Sequence, residues 1–304
     1  MTSAASGNFA LGTARPVAVV TAGGTREAID DVRHLANVAT GALPCAMAEA
    51  LMARGWQVEY LHGPGARRPG HLPVEIDATS ADWPARWHEA EVRAERMARK
   101  LRSGQLHLHP IQTATEAAET LAALCRASQP ALTVCAMAVA DFAPKAVAGK
   151  LQSRADSLGQ PTAPYGQPQT HDLTPAHDVL RLDLYPTPKA IDGVRAAAPH
   201  TRLVAFKLLA GADEATLLQA SVHLAHRAQA DLVFANDMKD YRAGSRTGLL
   251  LAAHGAVLAR LDGGHGEEAT QRLAELIVQY VARDLAALPV NPDAPTRRID
   301  IVKP

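Results

Sequence analysis

Four short stretches of this 304-residue chain place polar, charged or ring side chains directly after apolar runs, which is where a ligand site is built on a sheet. The first is Thr21-Ala22-Gly23-Gly24-Thr25, following the β-branched run Val17 to Val20. Glycines there either let backbone N–H groups approach a phosphate or simply make a tight turn. The loop matches neither GxGxxG nor GxxxxGK[ST]. The second is Asp141, after the run Ala136, Met137, Ala138, Val139, Ala140. A carboxylate in that place accepts hydrogen bonds from a ribose or helps hold a metal. Lys145 and Lys150 follow, and two cations after an acid suit a polyphosphate, although each alone reads as a solvated lysine. The third is Phe206-Lys207, a ring that either stacks on a base or fills the core, with a cation beside it. The fourth is Asn236-Asp237, closing the run DLVFAND. The coincidence of all four says more than any one of them.

Other chemistry-bearing residues have plainer readings. Asp30, Arg33 and the run Asn37 to Gly41 form either a helix-capping cluster or a set of ligand contacts. Arg33 suits a phosphate or carboxylate in two-pronged fashion, or sits on the surface. His107 and His109 share a strand face, but no third metal ligand lies nearby in sequence. Cys135 lies inside an apolar strand, a poor place for a nucleophile. GxSxG, HExxH and the kinase motifs are absent.

Composition narrows the classes further. Lys+Arg and Asp+Glu are both 31, so bulk charge does not recruit nucleic acid. Aromatic residues are 4%, which leaves an aliphatic core and few platforms for stacked bases. Three cysteines without a CxxC pair argue against a disulfide framework or zinc knuckle and fit a reducing cytoplasm. No apolar run reaches about 18 residues, so no membrane-spanning helix is expected. Hydrophobic content of 47% excludes global disorder.

The elements that position these residues follow from pattern. A strand at Val17, a glycine loop, a helix over Pro44 to Arg54 stopped by Gly55, and a strand in WQVEYLHGP make a βαβ unit. An amphipathic helix is expected over 84–103, with Trp87, Val92, Met97 and Leu101 on its apolar side. LHLHPIQ reads as a strand, and Thr113 with Glu116 caps the next helix. ALTVCAMAVADF reads as one strand and VLRLDLY as another, and TPKAIDGVRAAAP as a helix with Thr187 as cap and Pro188 first. LVAFKLLAG is a strand, DEATLLQASVHLAHRAQ a helix, DLVFAND a strand, and GLLLAAH with AVLARLDG an antiparallel pair before a helix from about Glu267 to Leu288. The expected fold is α/β: a mostly parallel, Rossmann-like sheet with helices on both faces and an antiparallel extension near the C-terminus. The chain divides into a flexible leader (1–15), one domain (16–288) with inserts near 66–106 and a mobile flap or loop (145–178), and a Pro-rich tail (289–304).

The ordered set TAGGTREAIDDVRHLANVATG, CAMAVADFAPKAVAGKLQS, YPTPKAI, VAFKLL and ADLVFAND resembles the phosphopantothenate–cysteine ligases, over roughly 16–285. GKLQS and AFKLL are similar to the stand-alone type, so no flavin is expected on this chain. The resemblance implies joining of cysteine to 4′-phosphopantothenate through an acyl-nucleotidylate, with CTP or ATP as co-substrate, magnesium, a homodimer, and neither nucleic-acid nor membrane partners. It implies Gly23, Gly24 and Thr25 at the phosphates, and Asn37 on the acyl carbonyl with Lys150 as the two catalytic groups. Arg33 and Ala138 would contact substrate, and Ala136, Met137, Asp141, Thr187, Pro188, Lys189, Phe206 and Lys207 the nucleotide. One departure bears on substrate fit: the family's small-residue pair and glycine after the Asn37 run are here Ala42-Leu43-Pro44-Cys45. The rival readings are a ligase activating another carboxylate, a dinucleotide-dependent oxidoreductase and a non-catalytic nucleotide-binding module.

Overall fold

The computed structural model describes residues 15–70, 79–150, 182–266 and 268–286. The leader, residues 71–78 of the first insert, the loop from 151, Val179 to Arg181 of the expected strand VLRLDLY, and the tail lie outside them, except for Arg15. In chain order the strands are β1 (Val17–Ala22), β2 (Arg26–Ala28), β3 (His34–Ala36), β4 (Gln57–His62), β5 (Leu106–Pro110), β6 (Leu132–Cys135), β7 (Phe142–Pro144), β8 (Leu184–Pro186), β9 (Arg202–Leu209), β10 (Leu232–Asp237), β11 (Thr247–Ala252) and β12 (Val257–Asp262). The helices are α1 (Ala42–Ala53), α2 (Trp83–Arg102), α3 (Ala114–Ser128), α4 (Val194–Ala197), α5 (Glu214–Ala228), α6 (Met238–Arg242) and α7 (Ala269–Ala286).

Eight strands make one sheet in the order β12-β11-β10-β9-β6-β1-β4-β5. The six from β5 to β10 are parallel, and β11 and β12 add antiparallel at one edge. Central strands are apolar on both faces because helices cover both. Ala18, Val20 and Ala22 of β1 face a core shared with α1 and α7, and Val19 faces the core under α3 and α5. Helix α1 (ALPCAMAEALMA) is apolar nearly all round because it lies between the sheet and α7. It begins at Ala42 rather than Pro44, and proline in the first turn loses no helical hydrogen bond.

Three expectations need correction. The run ALTVCAMAVADF is not one strand: the ladder stops at Cys135, and β7 starts afresh at Phe142. Thr187 does not cap a helix; the chain stays extended to Lys189, and a 3-10 turn from Ala190 precedes the short α4. Helix α2 forms as expected, but of its apolar side chains only Met97 is buried, and Trp87 is 55% exposed.

Candidate active site

Counted along the chain, the six parallel strands stand in the order third, second, first, fourth, fifth, sixth. The order reverses between β1 and β6, the place where open α/β sheets open a crevice. Beyond the ends of these strands the glycine loop and the segment 136–140 are zipped together. Gly24 bridges Ala138 in parallel, Ala138 N donates to Gly23 O at 2.8 Å, and Thr25 N donates to Ala138 O at 3.3 Å. Two buried hydroxyls complete the seam. Thr21 Oγ1 accepts from the amides of Ala136 and Met137, both at 3.1 Å, and Thr25 Oγ1 accepts from Ala140 N at 2.9 Å. Thr25 therefore fastens the seam from within, and the Ala136 and Met137 amides are engaged by protein.

The glycines are required by close approach. A Cβ on Gly24 would stand 2.8 Å from Asn37 O. Gly23 has φ 76°, and a Cβ there would stand 2.4 Å from the Ala66 Cβ. Unlike a dinucleotide fingerprint, this loop does not open onto a helix; the β2–β3 hairpin intervenes before α1.

That hairpin delivers Asn37. Its base is held by the buried Glu27 carboxylate, which accepts from Ala114 N at 2.9 Å at the start of α3, and by Arg26 N donating to Gln112 O at 2.8 Å. A carboxylate is favourable at a helix N-terminus. The turn is closed by Asp30, whose carboxylate accepts from Val32 N, Arg33 N and Arg33 Nη1 at 2.9, 2.7 and 3.1 Å. Arg33 thus lies against a buried carboxylate. Asn37 Nδ2 donates to Ala138 O at 3.2 Å, which brings together two of the residues expected at the substrate.

The β7–β8 hairpin joins two further sequence-distant groups. Lys189 is ion-paired with Asp141, the Thr187 hydroxyl donates to Ala140 O, and Thr187 N donates to Asp141 O at 3.1 Å, with Pro188 between. Phe206 and Lys207 are not at a strand end, because β9 runs on to Leu209. The half-buried Phe206 ring packs on Phe234 at 5.2 Å, on the side of the sheet that carries α1 and α7. Asp237 holds the neighbouring loop, accepting from Lys239, Ala212 and Gly211 amides at 2.7, 2.9 and 3.1 Å. These donors hold its carboxyl below the usual range. Lys150 is exposed, at the end of a strap fastened to the hairpin turn by Gly149 N donating to Asp31 Oδ2 at 2.8 Å.

A cleft of about 360 Å³ opens between the hairpin, the start of α1 and the loop after β4. Of the residues expected in the site, Gly24 and Asn37 line it. Arg33, Ala138 and Lys150 do not. Arg26, His34 and Arg67 also line it and were missed. The signal for Arg67 was an Arg-Arg pair just past the strand-ending Gly63-Pro64. Thr21 was missed as the organiser of segment 136–140.

The His107 and His109 pair does have a third group, across the ladder. Their Nδ1 and Nε2 lie 2.8 and 2.7 Å from the Glu59 carboxylate. Burial opposes ionisation of Glu59, but hydrogen bonds from His109, His107 and Gln57 outweigh it and hold the carboxyl at about 2. Among the described residues no cluster of His, Cys, Asp and Glu is arranged to hold a metal. Burial pushes the Cys135 thiol far above its ordinary value, in keeping with an inert place in the strand.

The family model described as the DNA/pantothenate metabolism flavoprotein C-terminal domain matches residues 14–82. The coenzyme A biosynthesis bifunctional protein CoaBC of Thermococcus kodakarensis is 29% identical over 226 residues, covering 73% of this chain and 41% of that protein. A solved Cab2 mutant in complex with phosphopantothenate-cysteine superposes with a TM-score of 0.64 at 19% identity, over 89% of this chain and 86% of that one. The chain resembles the phosphopantothenate–cysteine ligases. The DNA/pantothenate metabolism flavoprotein of Streptococcus pneumoniae has the same fold, with a TM-score of 0.62 at 21% identity, over 89% of this chain and all of that one. The chain spans less than half the length of the curated relatives, since the Bacillus subtilis CoaBC, 31% identical over 144 residues, is covered over only 27% of its length. Among the described residues no helix is long and apolar enough to cross a membrane.

Proposed function

We propose that this protein is a phosphopantothenate–cysteine ligase acting in the cytoplasm. A carboxylate oxygen of 4′-phosphopantothenate attacks the α-phosphorus of CTP or ATP, and the bond to the β-phosphate breaks with its electron pair leaving on pyrophosphate. The amine of cysteine then attacks the acyl carbon, the nucleoside monophosphate departs, and the amine loses a proton. The observation that carries this reading is Asn37 placed against Ala138 at the switch point, beside a cleft lined by cations. A side-chain amide there is suited to a carbonyl on which negative charge develops. Holding acid and nucleotide in one cleft makes the first step effectively unimolecular.

The other expected residues take supporting places. Asp141, with Lys189 and the Thr187-Pro188 turn, forms the rim that meets the ribose. Lys150, at the end of its strap, is the ammonium group that meets the phosphates. Phe206 and Lys207 on β9 lie one strand beyond β6, and their part is at the base end of the nucleotide. Magnesium arrives with the triphosphate as part of the substrate, because such ions bind through phosphates and one or two carboxylates, and Asp141 is the acid at this rim. The active form is a homodimer.

The test is a pyrophosphate assay with 4′-phosphopantothenate, cysteine and each of CTP and ATP. Release of pyrophosphate and nucleoside monophosphate that depends on the acid supports the reading. ADP or CDP with phosphate excludes it. The run Ala42-Leu43-Pro44-Cys45, which lacks the glycine that the resemblance leads one to expect there, favours one second reading, a ligase for a different carboxylate. That reading expects pyrophosphate release with another acid and none with phosphopantothenate.

A further inference from the structure

The cleft beside Asn37 is lined by two arginines and a histidine, Arg26, Arg67 and His34, and by no acidic residue. Among the described residues neither arginine is ion-paired, whereas Arg33, Arg54, Arg93, Arg195, Arg202 and Arg260 each sit on an acid. Two unpaired arginines facing one cavity repel each other, and an anion bound between them relieves that repulsion.

Arg67 is held in place at its backbone rather than by a surface contact of its side chain. Its amide donates to Thr40 O at 2.8 Å, and its carbonyl accepts from the hydroxyl of the fully buried Tyr60 at 2.7 Å. The preceding Ala66 packs directly against Gly23 and Gly41. The side chain thus leaves from a rigid point beside the glycine loop. Arg26 leaves from β2, which is tied to Gln112 and paired with Ala36.

The start of α1 supplies the complementary observation. Helix N-termini usually bind anions through several free amides. Here Pro44 has none, Ala42 N donates to Thr40 Oγ1 at 3.3 Å, and the N-cap is Gly41 without a side-chain bond. Within the first turn only the Leu43 amide is left to a ligand. Positive charge for an anion at this helix must therefore come from side chains, and Arg26 and Arg67 are the ones that line the same cleft.

We propose that Arg26 and Arg67, with His34 beside them, clamp the β- and γ-phosphates of the nucleoside triphosphate and the pyrophosphate that leaves. This rests on the ligase reading for the step involved. In that step the Pα–O bond to the β-phosphate breaks, its electron pair stays on pyrophosphate, and the extra negative charge forms between the two guanidinium groups. Preorganised cations at a site of developing charge lower the barrier without reorganising. A tail bearing several charges, rather than one phosphomonoester, matches two arginines and a histidine around one cavity.

The test compares Arg67→Met with the wild-type chain by titration calorimetry, using inorganic pyrophosphate with magnesium, the triphosphate that supports turnover, and its monophosphate. Loss of at least tenfold in affinity for pyrophosphate and triphosphate, with the monophosphate within twofold, supports the clamp, as does partial recovery in Arg67→Lys. Equal loss for monophosphate and triphosphate, or unchanged pyrophosphate binding, overturns it. A loss confined to 4′-phosphopantothenate also overturns it and assigns the cleft to the acid's own phosphate. Arg67 is exposed, so an unchanged melting midpoint checks that the variant folds. Arg67-dependent pyrophosphate binding without any ligase turnover sinks the proposed function alone. Normal turnover with no effect of Arg67 on pyrophosphate sinks the clamp alone.

Discussion

Replacing Thr21 by valine removes one hydroxyl while keeping the shape of the side chain, and that hydroxyl organises the loop that meets the substrate. Thr21 is 3% exposed; its Oγ1 accepts from Ala136 N and Met137 N at 3.1 Å and donates to Val134 O at 3.4 Å. In Thr21→Val both amides lose their acceptor. An orphaned buried amide costs about 1–3 kcal/mol. Ala136 and Met137 are half-buried, so water reaches them in part and the lower end applies, about 2 kcal/mol for the two together. For a chain of this size that lowers the melting midpoint by roughly 3 °C. Because segment 136–140 carries Ala138, on which Asn37 rests, turnover should fall beyond what the lost stability explains. Thermal unfolding and the pyrophosphate assay on Thr21→Val and Thr21→Ser measure both effects, and serine should restore most of each. Thr21→Val with stability within about 0.5 kcal/mol of wild type, or serine as harmful as valine, would refute the seam as described.

Asn37→Ala should lower turnover by about 10²–10³ while leaving the nucleotide dissociation constant unchanged, the pattern of a lost donor to developing charge. Near wild-type kcat in that variant removes the assignment. Glu59, held at about 2 against an ordinary 4.5, should contribute stability that is complete above pH 4.5 and lost as pH falls through 2. The size is on the order of 3 kcal/mol. Urea midpoints of wild type and Glu59→Gln should therefore differ most at neutral pH and converge as pH falls from 4.5 to 2, and a gap independent of pH would contradict the depressed carboxyl.

Much of the scaffold could be read from neighbours in the chain. The β-branched run at Val17, the all-round apolar α1, the Thr113 cap and the antiparallel β11–β12 pair follow from patterns a few residues long. Motif resemblance assigned Asp141 and Lys189 to one ligand and Asn37 and Ala138 to another, and it is the fold that pairs the members of each couple. The remainder depended on partners remote in sequence. The apolar run at Leu132 looks like one long strand, yet Ala136 and Met137 turn their amides to a hydroxyl 115 and 116 residues away. Phe206 looks like a ring at a strand end, yet β9 runs on past it and Phe234 of the adjacent strand packs against it.

Residue order alone determined most helices and strands of the main sheet, that both faces of that sheet are covered, and which loops carry glycine and charge. Helix and strand preferences and apolar periodicity act over a few residues, so they are written locally. Tertiary structure alone decided that Arg67, from the loop after β4, shares a cavity with Arg26 and Asn37, and that Arg33 turns instead to Asp30. Those placements are set by the strand order and by the close contact of Gly23, Gly41 and Ala66, which no local pattern encodes.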